Sequence, residues 1–152
     1  MKHNILYAFL ISALLFSCGT KKMSTDEIKT TTNTRVSQIN ANKVLKVETT
    51  EGALTDKDGF NDIGKFKYTV YFDENTKDLY RIENVEMTNK TLTETYYFDD
   101  NDLFFIKASS KNAPDKTVYT KGFKLLMKKN ATDEEAKLLI DKAKRFKSAF
   151  KK

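Results

Sequence analysis

The chain has 152 residues, 27 Lys and Arg against 21 Asp and Glu, one His and one Cys. His3 and Cys18 are its sole imidazole and thiol, so the body of the chain can form no disulfide, no Cys/His zinc centre and no Ser-His-Asp or Cys-His nucleophile. The length suits one domain able to bury roughly two-thirds of its unfolded surface, and no cofactor or metal site is expected.

Lys2 is followed by Ile5 to Phe16, an apolar run broken only by Ser12. It falls short of the roughly 20 apolar residues that cross a bilayer, and reads as the core of a secretory signal. Leu15-Phe16-Ser17-Cys18-Gly19 then resembles the lipobox of bacterial lipoproteins, with Phe16 larger than the residue often found at its position. The resemblance implies cleavage after residue 17, a lipidated Cys18 and attachment to a membrane of the cell envelope. Two acyl chains would make that anchor stable, at about 0.8 kcal/mol per buried CH₂. Gly19 in place of the Asp that resembles an inner-membrane retention signal favours the outer membrane, on either side of it.

Residues 18–34 hold Lys, Thr, Ser and Asn with little apolar besides Met23 and Ile28, and are expected to form a spacer between lipid and fold. The single domain then covers 35–152. A short helix is expected around Arg35 to Asn42, a strand over Val44 to Thr49, and a loop from Gly52 to Gly64. Asp56, Asp58 and Asp62 in that loop glance at a calcium loop, but Gly59 and Lys67 stand at the wrong places, and a solvated loop is the better reading.

Between residues 65 and 128 the pattern has period two and is rich in Tyr, Phe and Thr, the signature of antiparallel strands with one face on a core. Tyr71-Phe72-Asp73-Glu74-Asn75 leading to Asp78-Leu79 repeats as Tyr97-Phe98-Asp99-Asp100-Asn101 leading to Asp102-Leu103. Each copy reads as a hairpin turned by Asp and Asn, which bond the local backbone and tolerate left-handed geometry. Val118-Tyr119-Thr120, a turn at Lys121-Gly122 and Phe123 to Met127 form a weaker third copy. Thr132-Asp133-Glu134-Glu135 is a capping box opening a helix over 132–150, whose stripe of Ala136, Leu139, Ile140, Ala143, Phe146 and Phe150 should cross the sheet. The expected fold is α+β: a meander of about six to seven strands packed on a C-terminal amphipathic helix. These hairpins resemble a loose group of small lipoproteins and secreted proteins of unknown function from Bacteroidota. That likeness implies an architecture and no active-site residues.

Two surfaces are candidates for binding. On the sheet face opposite the helix, the repeats place Tyr71, Tyr97, Leu103 and Phe105 with Arg81 and Lys107, aromatic residues ringed by charge. The N-terminal segment could cover them, and a one-residue bulge would swap the faces. The second is the helix itself, with Lys142, Lys144, Arg145 and Lys147. Residues 121–152 carry 11 Lys and Arg against 4 Asp and Glu, whereas residues 18–120 carry 15 against 17. Such a positive end suits lipid head groups or an acidic protein, although a solvated lysine face is the plainer account; nucleic acid is not expected, no recognition motif being present. Asp99, Asp100 and Asp102 could serve as paired carboxylates of a hydrolase, but a tight turn explains them better. The expected function is therefore a non-enzymatic, membrane-anchored module recognising an envelope protein or glycan, with a purely structural lipoprotein as the alternative and a carboxylate hydrolase third.

Overall fold

The structure, a computed structural model, describes residues 23–150; the signal segment and Cys18 lie outside them. A helix α1 (Thr25–Ala41) is followed by seven strands, β1 (Lys46–Thr55), β2 (Asp62–Phe72), β3 (Leu79–Met87), β4 (Thr91–Asp99), β5 (Asp102–Ser110), β6 (Lys116–Lys121) and β7 (Lys124–Lys129), and by helix α2 (Asp133–Phe150). The strands form one sheet in chain order, every neighbour antiparallel. The α+β meander with its C-terminal helix is thus present.

The helix α2 buries its expected stripe. Ala136, Leu139, Ile140 and Ala143 pack on Val70, Ile82, Tyr96, Phe98, Leu103, Ile106 and Val118, with Phe146 and Phe150 at the margin. Phe146 lies 5.1 Å from the ring of Tyr68 and 5.4 Å from that of Tyr96, and Phe150 lies 5.1 Å from Phe72. Such aromatic pairs add about 0.5–1.5 kcal/mol each beyond their buried area. Glu135 closes the capping box, donating its backbone N–H to Thr132 Oγ1 (3.2 Å) and accepting from the Thr132 N–H (3.0 Å).

Two expectations are corrected. Residues 25–34 are not a spacer: they form the first half of α1, of which the short helix at 35–42 is the second half. Ser24 caps it through a capping box of the same kind, with Glu27 N–H to Ser24 Oγ at 3.2 Å and Ser24 N–H to Glu27 Oε2 at 2.7 Å. Ile28, Thr32, Val36 and Ile39 then recur on one face, with a threonine where an apolar residue is usual. The loop at 52–64 also contracts, because β1 and β2 pair through Ala53–Lys65 and Leu54–Gly64. Both flanking glycines serve close approach within the strands rather than a loop. The Phe66 ring occupies the space of a Gly52 side chain, and the Met87 carbonyl that of a Gly64 side chain. What remains is the tip at 56–61, where the Asp56 carboxylate accepts from Phe60 N–H (3.0 Å) and Asn61 Nδ2 (2.7 Å).

The repeat has a structural counterpart. In the three hairpins of the repeat the pairing slips by one residue just after the turn, so that Tyr80, Phe104 and Leu126 are the extra residues. Each bulge lets the Leu before it face α2 while the extra residue and its successor face α1. The turns supply the required backbone: Asp100 and Asn101 have φ of 49° and 63°, and Gly122 has 58°. Asn101 also ties two hairpins together, its Oδ1 accepting from Leu79 N–H (3.1 Å) and its Nδ2 donating to Asp78 (2.7 Å).

The Tyr68 hydroxyl is buried under α2 without a hydrogen-bond partner among the described residues, whereas the Tyr96 hydroxyl donates to Glu94 Oε2 at 2.8 Å. Burial pushes the Tyr68 phenol up to about 12; burial first, and then the Glu94 carboxylate, raises that of Tyr96 as well. A folded pKa above the unfolded one gives stability that is complete below about pH 10 and lost as pH rises through the folded value. Tyr68→Phe is therefore expected to raise stability by about 1 kcal/mol near neutrality, by removing an unsatisfied hydroxyl, and to shrink the loss between about pH 10 and 12. Urea unfolding across that range checks it, with Tyr96→Phe as the contrast that should destabilise; equal losses for both variants would refute the assignment.

Candidate functional site

The face opposite α2 is built in rows, because antiparallel register sets residues side by side across the strands. One row runs Val47, Tyr71, Arg81, Tyr97, Phe105, Tyr119 and Met127. The next runs Thr49, Thr69, Glu83, Thr95, Lys107 and Thr117. The first row is aromatic and the second is hydroxylic and charged.

Helix α1 crosses the aromatic row, which corrects the expectation of an exposed patch. Tyr97, Phe105 and Tyr119 are 7%, 6% and 8% exposed, packed with Ile39 and flanked by Ile28, Val36 and Phe104. Their rings form a chain, Tyr97 to Phe105 at 5.9 Å and Phe105 to Tyr119 at 5.0 Å. Leu103 belongs to the other face altogether: the bulge at Phe104 turns it into the α2 core, where it is 0% exposed. Of the six residues expected on this surface, Tyr71, Arg81 and Lys107 remain accessible in part. The Arg81 guanidinium lies 3.7 Å over the Tyr71 ring and donates to Asn40 Oδ1 at 2.6 Å, and the Tyr97 hydroxyl reaches the same oxygen at 3.3 Å. Lys107 stands in the polar row and pairs with Asp115 at 2.8 Å, an interaction that holds the Asp115 carboxyl below its usual range.

The polar row continues past α1 as a partly open band. Thr49 and Thr69 hydroxyls meet at 3.2 Å, and the adjoining row adds an ion pair between Lys67 and Glu51 at 3.2 Å. Thr69 is 5% exposed and the Thr117 hydroxyl is buried, so the groups of the polar row that can hydrogen-bond a polyol or an extended peptide are Thr49, Glu83, Thr95 and Lys107. The row holds no imidazole or thiol to activate a nucleophile.

The basic helix is tied down more than its sequence suggests. Lys142 points inward, 2.8 Å and 3.1 Å from the Glu94 oxygens and 3.5 Å from Glu86. Lys147 lies 5.4 Å over the Phe123 ring and 4.0 Å from Asp102, and Lys144 pairs with Asp141 at 2.9 Å. Arg145 is exposed and has no ion pair among the described residues.

The Glu94 cluster escaped the sequence reading. Glu94, 3% exposed, also accepts from Asn84 Nδ2 at 3.4 Å, and Asn84 in turn donates to Glu86 at 3.0 Å. The signal was available, since strand alternation sets Glu94 between Leu92 and Tyr96 on the apolar face of β4. The three turn aspartates meet different ends: Asp99 is bound by Arg35 of α1, Asp100 holds a positive φ, and Asp102 caps a helix lysine. None of the described helices is long and apolar enough to cross a membrane. No protein-family model, curated protein or solved structure matches the chain.

Proposed function

We propose that the protein is a lipid-anchored lipoprotein of the cell envelope, favouring the outer membrane, whose domain is a non-catalytic binding module for an envelope protein or glycan. The anchor rests on the signal-like segment and Cys18. The binding site is the Thr/Glu/Lys band beside α1, bounded by the Tyr71–Arg81 stack. That stack carries the reading: Arg81 is held by an aromatic face and by Asn40 at the border of a partly open polar surface, so a ligand meets it without first ordering it.

The test has two parts. Mass spectrometry of the protein from its native membrane should show a chain starting at Cys18 with a diacyl or triacyl mass, absent in Cys18→Ser. A photo-crosslinking residue at Lys107 or Tyr71 should then capture a defined envelope protein or glycan, while one at the exposed Leu138 of α2 should not. Adducts equal at all three positions, or none from a correctly lipidated protein, would overturn the binding site.

A further inference from the structure

The two edges of the sheet differ in chemistry. On β1 the charges are mixed and paired, with Lys46 bound to Glu74 at 2.7 Å and Glu51 to Lys67 at 3.2 Å, the usual way to blunt a free edge. On β7 the sequence Lys-Leu-Leu-Met-Lys-Lys is unrelieved: no Asp or Glu occurs between Lys116 and Asp133. Lys121, Lys124 and Lys129 are exposed and have no ion pair among the described residues. Of the acids that lie near, Asp133 pairs with one lysine of the strand, Lys128 (3.5 Å), while Asp141 is engaged with Lys144 (2.9 Å) and Asp99 with Arg35, which leaves the other three lysines without a carboxylate partner among the described residues.

The bulge gives this edge a second property. An edge strand normally shows apolar residues on one side, but here Leu125 faces the α2 side beside Phe123 and Leu126 the α1 side beside Met23, at 36%, 47% and, for Met23, 50% exposure. Leucines on both sides of a lysine-rich strand form a wedge with cations around it, the composition that seats peripheral segments at a headgroup boundary.

The position of the chain fits the same surface. Met23, Ile28 and Leu126 line one cavity of about 290 Å³, so the polypeptide enters the domain on the β7 side. Cys18 stands five positions before Met23, a stretch that reaches at most about 18 Å fully extended.

We infer that the β7 edge rests on an anionic phospholipid surface, Leu125 and Leu126 entering the headgroup layer and Lys121, Lys124 and Lys129 meeting lipid phosphates. The inference rests on the lipid-anchor reading for its geometry and adds an orientation to it: the Thr/Glu/Lys band stands roughly upright to the membrane, and the β1–β2 tip with Phe60 points away.

Two measurements test it. Because Cys18 is the sole thiol and is blocked in the lipidated protein, a cysteine introduced at Leu125 or at Phe60 is the only one to take a fluorophore. In reconstituted vesicles carrying nitroxide lipids the label at 125 should be quenched and that at 60 spared; equal quenching at both refutes the orientation. Separately, the unlipidated mature chain, residues 18–152 with Cys18→Ser, should sediment with vesicles of phosphatidylcholine mixed with phosphatidylglycerol and not with phosphatidylcholine alone. Replacing Lys121, Lys124 and Lys129 with Gln should weaken that binding by at least about tenfold. Indifference to phosphatidylglycerol and to the three lysines refutes the inference while leaving the anchor standing. Salt-sensitive vesicle binding by a chain that proves unlipidated in its native membrane supports the edge and removes the anchor.

Discussion

Lys142→Met is expected to destabilise the domain by about 3 kcal/mol, the cost of leaving a buried carboxylate without its counter-ion. Glu94 has a side chain 4% exposed, and Lys142 is the one cation paired with it among the described residues. Tyr96 and Asn84 still donate to it in the variant, but two neutral donors do not replace an ammonium 2.8 Å away. Adding Glu94→Gln removes the charge and keeps an acceptor for Tyr96, so the double variant should recover at least half of the deficit. Urea denaturation of the three proteins at neutral pH decides it. A single-variant deficit under about 1 kcal/mol, or a double variant no better than the single, would mean that water reaches Glu94.

The strands, the C-terminal helix and the hairpin turns were legible because each is written locally: alternation of aromatic and polar residues, Asp/Asn turns, a capping box before an apolar stripe. Errors arose where the same signals were weaker or carried by different residues. Ser24 and Glu27 form a capping box as complete as that of Thr132 and Glu135, but the helix behind it is rich in Thr and has three apolar residues on its buried face. Its composition reads as linker, and only docking on the aromatic row stabilises it. The face of Leu103 was lost to a bulge, which shifts register by one residue and reverses alternation without any local mark. Once three hairpins are seen to slip at the same point, the repeat explains it: the pair after each Leu, Tyr80-Arg81, Phe104-Phe105 and Leu126-Met127, is carried together to the α1 side. Candidate binding residues suffered most, since exposure is a tertiary property that residue type alone does not report.

Ile39→Asp is expected to detach α1 while the sheet and α2 stay folded. Ile39 is 4% exposed and is the apolar anchor at the C-terminal end of the helix; Ile28 and Val36 are only partly buried, and the rest of the attachment is polar, through Arg35–Asp99 and Asn40 with Arg81 and Tyr97. An element held by so few apolar contacts opens at a lower free energy than the core it covers. Hydrogen exchange should therefore show protection lost over residues 25–41 and kept in β3 to β6, with a fluorescent apolar dye binding the uncovered Tyr97, Phe105 and Tyr119. Ile39→Ala should cost about 2 kcal/mol or somewhat more, limited by the free energy that docks α1, since beyond that limit the helix leaves. If protection falls equally over the sheet and α1, the two form one cooperative unit and no separate opening exists. The outcome also fixes what a ligand can touch. With α1 seated, crosslinkers at Tyr71 and Lys107 face the open band and those at Tyr97 and Phe105 are shielded. Capture at Tyr97 or Phe105 that appears only in Ile39→Asp would show that the aromatic row is a covered core and that recognition belongs to the polar row beside it.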